Sequence, residues 1–380
     1  MNGGQSLLTV LVGATLPVPA PSDLVASIER VQVTHAADAG SGFQLVLRAG
    51  RGGPQDLLDF PLLRSGQLDA FRRIVLLLTL GGRPTVLADG VITHRELMPG
   101  VVPGTSRLVV TGEDLGVLMD LQERTVEYPA QDETAIAQRI ILGYAGYGLV
   151  AQVVPPPLVD PPLPVDRVPV QLGSDRGYLI RMAARFGYVF HVTPGPLPAT
   201  STAYWGPPNR VGPTAPALSI GLGPSSNVEQ ISFRHDPLAP VRVTGSVQDR
   251  LTDAQLPVLS TVSARPPLAA LPDAVANLPH LRTVVFRGSG LTAAQALARA
   301  QGTADASADS LVAVGTVDTT RYGGLLTAGA LVAVRGAGWQ HDGVYQVQRV
   351  THEIEVGTRH TQHFTLSREG LGATAPVVRP

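Results

Sequence analysis

Three histidines fall close together near the C-terminal end, His352, His360 and His363, and clustered imidazoles are the first place to look for a transition metal. Convergence on one ion needs all three on the same face. The stretch Gly343–Val356 alternates Val350, Ile354 and Val356 with polar residues, and the return run alternates Phe364 and Leu366 in the same way. A period of two is what a half-buried antiparallel hairpin requires. Setting Val350 against Leu366 and His352 against Phe364 leaves Gly357-Thr358-Arg359 as the loop, with a glycine free to take an unusual backbone angle. A two-residue loop would set Ile354 against Thr361 and turn one apolar face to water. In the chosen register His352 and His360 face inward and His363 faces out, so the three do not converge. His352 then reads as a packing residue opposite Phe364. No metal site is assigned, and an ion held by His352 and His360 alone is the alternative left open.

Other residue types that carry chemistry lack partners. Asp132-Glu133 stands at a predicted helix start and Asp249-Arg250 at a strand end, where acids and turn polars occur for local reasons. No partner for general acid–base work stands beside either. Ser225-Ser226, Ser41 and Ser65 have no Gly-x-Ser-x-Gly context, and a phosphate loop of the Gly-x-x-x-x-Gly-Lys kind is excluded because the chain contains no lysine. Gly336-Ala-Gly338 reads as a turn. No catalytic set and no cofactor site is assigned, so a non-enzymatic role is expected.

These residues must be positioned by a chain of 380 residues, long enough for two or three domains. A net charge of −1 with no long run of one sign argues against a nucleic-acid or membrane-surface binder. Scattered aromatics give no face for single-stranded nucleic acid. All cations are arginine, as codon bias in a GC-rich genome would give. With no cysteine, disulfides and thiolate metal sites are excluded. The 41 glycines and 33 prolines with few aromatics fit many short strands joined by turns. The apolar run Leu7–Val12 lacks a basic segment before it and is broken by Gly13 and Pro17, unlike a signal peptide. No stretch reaches the length of a membrane helix. A soluble protein made in the cytoplasm is expected.

In chain order, strands are predicted at Leu7–Val12, Ile28–Thr34, Phe43–Arg48, Ile74–Leu80, Val86–Leu87 with Asp89–Thr93, and Arg107–Thr111, with a helical turn from Ser22. Arg64–Phe71 reads as neither type, and Gly50–Pro54 as a loop. Helical spacing follows at Asp114–Leu121 and Glu133–Gly143, with Asp132 or Thr134 as N-cap. Pro155–Pro164 is an extended connection. Ser174-Asp175 caps a helix over Arg176–Phe186, Gly187 stops it, and Tyr188–Val192 is a strand. Strands return at Val228–Arg234 and Val241–Gln248. A proline-rich segment and an alanine-rich helix at Thr292–Thr303 come next, and strands resume at Leu311. Tyr345 and Val347 lie on the other parity from Val350, which predicts a bulge near Gln348-Arg349. The fold class is mainly β with an α/β segment: residues 1–118 a barrel-like domain, 119–224 an α/β domain, 225–250 with 311–370 a second barrel-like domain, 251–310 an insertion, and 371–380 a frayed tail.

An ordered set of motifs gives this outline a family likeness. Leu326–Gly336 with Gly329, then Tyr345-Gln-Val347 and Val350-Thr-His352, then Phe364-Thr-Leu-Ser-Arg368, resemble the closing strands of the phage late control D, or tail hub, family. Asp89–Thr93, Val110–Leu115, Thr134–Ile141 with Tyr144–Gly148, Arg176–Ala184 and Ala294–Ala300 resemble its earlier segments in the same order. Tyr178 stands where phenylalanine is usual. The resemblance spans nearly the whole chain, although each motif alone is weak. It implies two related barrels per chain, three chains in a ring, and a symmetry adaptor between a sixfold inner tube and a threefold spike. It further implies baseplate adaptor or wedge proteins as partners, and assembly into a phage tail, a tailocin or an extracellular injection particle. Spike-bearing members continue into an OB-like domain and a β-helix needle. This sequence stops at Pro380 with neither, so the spike is expected to be a separate polypeptide. The competing classes are a secreted glycan-active enzyme, which would need paired carboxylates in one cleft, and a carbohydrate-binding module, which would need exposed coplanar aromatics beyond Trp205 and Trp339.

Overall fold

The computed structural model describes residues 7–50, 59–102, 104–157, 164–165, 167–250 and 252–374. The chain is mainly β, as expected, and its backbone is one thirteen-stranded sheet. Twelve of its strands are labelled here: β1 (Leu7–Gly13), β2 (Ile28–Ala36), β3 (Gly42–Arg48), β4 (Arg73–Leu80), β5 (Arg83–Met98), β6 (Arg107–Asp114), β7 (Thr214–Ser219), β8 (Val228–His235), β9 (Leu311–Asp318), β10 (Leu331–Arg335), β11 (Gly343–Glu355) and β12 (Arg359–Arg368). The thirteenth, Val18–Pro19, flanks β1.

The two halves repeat one another. The first six strands are ordered β2-β3-β6-β5-β4-β1, and the second six β8-β9-β12-β11-β10-β7. Irregularities match as well as order. The β2–β3 register breaks between Ile28 and Arg30, and the β8–β9 register between Val228 and Gln230. The β5–β6 register breaks between Ile92 and His94, and the β11–β12 register between Val347 and Arg349. Phe71 N–H donates to the Ile92 carbonyl just as Gly329 N–H donates to that of Val347. Both residues have positive φ, 63° and 80°. The outermost strands break the match, because β1 runs antiparallel to β4 whereas β7 runs parallel to β10.

Among the described residues, the barrels expected from the sequence are not closed. Strand β11 has β12 along one edge, but its other edge is shared: Gly343–Gln346 pair with β10 and Arg349–Glu355 pair with β2. The switch falls at the predicted bulge, where the extra residue re-aims the strand. An edge given to β2 cannot close a barrel within the second set, so the two sets fuse into a single sheet. Each set still buries its own core, one around Val33, Leu45, Ile74 and Ile92, the other around Val332, Tyr345, Phe364 and Leu366. At about 1.5–3 kcal/mol for each fully buried side chain, these clusters outweigh any single polar contact.

The hairpin differs from its predicted register by two residues. Val350 faces Phe364, and His352 faces Gln362 on one side and Val33 on the other. The loop is Val356-Gly357-Thr358, with Val356 48% exposed. Alternation fixes which face a residue takes, and a two-residue slip preserves it. The predicted pieces Val86–Leu87 and Asp89–Thr93 are one strand, β5.

Between the two sets lie α1 (Glu133–Leu142), capped by Asp132, and α2 (Asp175–Ala184), capped by Ser174. They pack with Leu149–Val153, Val189–Pro194 and Ser201–Gly206 around the buried Trp205. Asp114–Leu121, predicted helical, holds only a 3-10 turn at Leu115–Met119. Val241–Gln248, expected in the second barrel, pairs instead with Gln255–Ser260 and Arg282–Val285. This small sheet packs under α3 (Ala293–Ala306), whose Ala296 and Ala300 let helix and sheet approach closely. Most of Gly50–Pro54, most of Pro155–Pro164 and most of the 371–380 tail fall outside the described residues. Among the described residues, no helix is long and apolar enough to cross a membrane.

Candidate functional site

Strand β11 carries His352 into the seam where the two sets meet. Its Nδ1 lies 3.2 Å from His360 Nε2 on β12, and both rings are buried. His35 of β2 stands edge-on to His352, ring centroids 5.9 Å apart. His363 points the other way, to Thr316 Oγ1 and Glu353, as its parity predicts. The third imidazole of the cluster is therefore His35, which the sequence reading missed. It lies far away in sequence, and only the β2–β11 pairing brings it in.

Burial holds all three imidazoles neutral. It pushes His35 down to about 4 against a small opposing effect of the Leu87 backbone. It also pushes His360 down to about 4, opposed by Asp318. His352 is driven well below the ordinary imidazole range, first by burial and then by its two neighbours. A neutral imidazole has one N–H, so one ring of the His352/His360 pair donates and the other accepts. Either way one N–H and one lone pair remain, and His352 Nε2 and His360 Nδ1 have no hydrogen-bond partner. Among the described residues, no group of three or more His, Cys, Asp or Glu side chains is arranged to hold a metal ion.

His35 and His352 also line a cleft of about 740 Å³ between the two strand sets and the α/β segment. His191, Tyr204, Gln346, Gln348 and the Leu325–Ala330 loop complete it, and its lining residues include no carboxylate and no arginine. Burial lowers the His191 pKa as well. A wall of neutral imidazoles, amides and aliphatic groups offers hydrogen bonds but no charge. It pairs no nucleophile with a base and no two carboxylates across a bond.

The other sequence candidates serve local structure. Asp132 accepts from Ala135 N–H, and Asp249 accepts from Thr252 N–H and from Ala293 N–H at the start of α3. Ser226 Oγ accepts from Leu222 N–H, Ser65 Oγ donates to the Leu62 carbonyl, and Ser41 Oγ accepts from Ala36 N–H. Gly336 and Gly338 both have φ of 88°, in a turn whose Ala337 N–H is held by Asp342. Trp205 is buried with its indole N–H on the Leu179 carbonyl, while Trp339 is about half exposed.

Two buried arginines hold the segments together through ion pairs. Arg73 makes a bidentate contact with Asp89 at 2.6 and 2.7 Å and also donates to the Tyr147 carbonyl. Ser201 donates to the same carboxylate. Arg210 contacts both Asp309 and Glu369, and Glu369 accepts from the Leu268 and Ala269 N–H groups. An acid such as Asp89 in the middle of an apolar run is the sequence signal for a buried partner.

No protein-family model and no curated protein matches the sequence. Solved structures do share the fold. A tail protein from Neisseria meningitidis aligns with a TM-score of 0.61 at 15% identity, covering 96% of this chain and 98% of that one. The 43 kDa tail protein of prophage MuSo2 from Shewanella oneidensis aligns with a TM-score of 0.61 at 14% identity, covering 96% and 99%. An Escherichia coli component of the type VI secretion system, similar to T4 bacteriophage tail proteins, aligns with a TM-score of 0.51 at 12% identity, covering 93% and 78%. At such identities the likeness is one of fold, and it agrees with the resemblance carried by the sequence motifs.

Proposed function

We propose that this protein is a structural hub of a contractile tail or injection particle: three copies form a ring between a sixfold inner tube and a threefold spike, with baseplate proteins around it. The observation that carries the reading is the doubled strand set. A chain that repeats one edge presents it twice, so three chains offer six near-equivalent contacts outward while keeping three true ones for the spike. Support comes from the tail proteins that share the fold over almost their whole length. The role is mechanical: nucleating tube assembly, anchoring the spike and being driven out with it, and the domain division keeps the limits drawn from the sequence except that 241–248 goes with the 251–310 segment and 214–219 with the second strand set. Synthesis in the cytoplasm precedes assembly. The test is co-purification. The tagged protein, expressed with the sheath, tube and spike genes encoded beside it, should carry tube and spike through purification at three copies per spike. A lone chain in that preparation, or a gene neighbourhood without tail genes, would count against the reading. Hydrolysis of glycans lost on replacing Glu133 or Asp249 would instead favour the enzyme reading.

A further inference from the structure

Among the described residues, the repeat contains one pairing within the chain whose counterpart is missing. In β11 the residues after the bulge, Arg349–Glu355, use their free edge to bind β2 antiparallel. The equivalent residues of β5, His94–Met98, follow the matching break in register, have β6 on one edge only, and lie beyond the last pairing of β4 with β5, at Val91. The equivalent of β2 is β8, the terminal strand of the sheet, which pairs with β9 alone. Among the described residues, one chain therefore ends in two unused edges that are the repeat equivalents of two edges already joined inside it. Unpaired edges of this kind are templates for another chain.

We propose that copies of this chain join head to tail through antiparallel pairing of β5 residues His94–Met98 in one copy with β8 residues Ser232–Asp236 in the next. The inference rests on the ring proposed above and assigns its seam. The register follows from the two bulge alignments, which place His94 at Arg349 and Asp236 at Ala36. Carried over from the internal pairing of Arg349 with Ala36 and His352 with Val33, this sets His94 against Asp236, Glu96 against Arg234, and Leu97 against Phe233. Of the five opposed pairs, these first two are of opposite or complementary charge and the third is apolar, all at the spacing where cross-strand pairs interact; Arg95 then stands against His235, each already paired within the chain, with Asp69 and Asp273, and Met98 stands against Ser232. The Thr34–Thr351 hydroxyl contact of the internal seam, 3.0 Å, is replaced by the Glu96/Arg234 pair. His94, Glu96, Arg234 and Asp236 are exposed, and Leu97 and Phe233 are half-buried on the core-facing side. The seam is shorter than its model at one end. Ala37 N–H donates to the Gln348 carbonyl inside the chain, whereas the equivalent residue, Pro237, has no N–H. A head-to-tail contact closes into a ring when its rotation allows, and the two sets within the chain already embody one step of that rotation.

The chain has no cysteine, which makes cross-linking a clean test. Chains carrying Glu96→Cys and chains carrying Arg234→Cys are mixed and oxidised, with Glu96→Cys and Asp236→Cys as an out-of-register control. The expected result is a two-chain product in the first mixture and little in the control, and a closed three-chain product from the double variant. Charge reversal Glu96→Arg should convert rings to single chains, and adding Arg234→Glu should restore them, with the far-UV circular dichroism of the folded chain unchanged because both residues are exposed in the single chain. Rings that form normally with neither cross-link nor charge effect would overturn the seam and leave the ring reading standing. A chain that stays single at high concentration and gives no cross-link overturns both.

Discussion

Lowering the pH from about 8 to 5 should loosen the joint between the two strand sets, and the buried imidazoles set how much. His35 and His360 are each held at about 4 in the folded protein against about 6.5 in an unfolded chain. The unfolded state thus binds more protons across this window, so folding stability falls as pH drops below about 6.5 and is lost progressively toward 4. Integrating the difference to pH 5 gives roughly 2 kcal/mol for each imidazole, about 4 kcal/mol for the two. His352 shifts the same way and adds to the loss. Among the described residues Asp318 is the counter-charge to the cluster, acting on His360, while the Leu87 backbone opposes the shift of His35. The assay is urea denaturation followed by Trp205 fluorescence at a series of pH values, reading the midpoint at constant slope. His360→Asn should lose about 2 kcal/mol of the pH 8-to-5 difference. An unchanged difference in both His360→Asn and His35→Asn would refute the reasoning, since the acid sensitivity would then come from carboxylates elsewhere.

Replacing one partner of a buried ion pair leaves the other charge stranded. Arg73→Met should therefore cost about 3–5 kcal/mol, and Arg73→Met with Asp89→Leu should recover much of it, checked by denaturation midpoints. Glu369→Gln should weaken the clamp on Arg210 and release the Leu268–Ala269 backbone, seen as faster amide exchange there. At Gly336 an added Cβ would stand 1.9 Å from the Ile220 carbonyl at positive φ. Gly336→Ala should therefore lower stability by at least about 1–3 kcal/mol. Phe71, exposed and at the position Gly329 holds in the second set, should tolerate Phe71→Gly within about 1 kcal/mol by thermal melting.

Much of this architecture is legible locally. Period-two runs located most of the strands, the parity change between Val347 and Val350 located the bulge, and Thr292, Ser174 and Asp132 marked their helix starts. What stayed hidden depends on contacts distant in sequence. His35 joins His352 across more than three hundred residues, and nothing near either announces it. Val86–Leu87 and Asp89–Thr93 read as separate pieces, and only the buried partner that Arg73 supplies to Asp89 shows how one strand runs through both. The repeat is faint for the same reason: Ile28-Glu-Arg-Val-Gln-Val-Thr-His35 and Val228-Glu-Gln-Ile-Ser-Phe-Arg-His235 match only once the bulges are aligned. Barrel closure was misjudged because a pattern of apolar residues says which face is buried and not which edge is taken.

The claim that matters most is that the doubled strand set exists to build a ring. Native mass spectrometry of the intact protein, alone and with its tube and spike partners, tests it most directly. The account predicts a species of three chains, each of 39.8 kDa, that takes up one spike and nucleates a sixfold tube. A chain that remains single in the presence of both partners would contradict it.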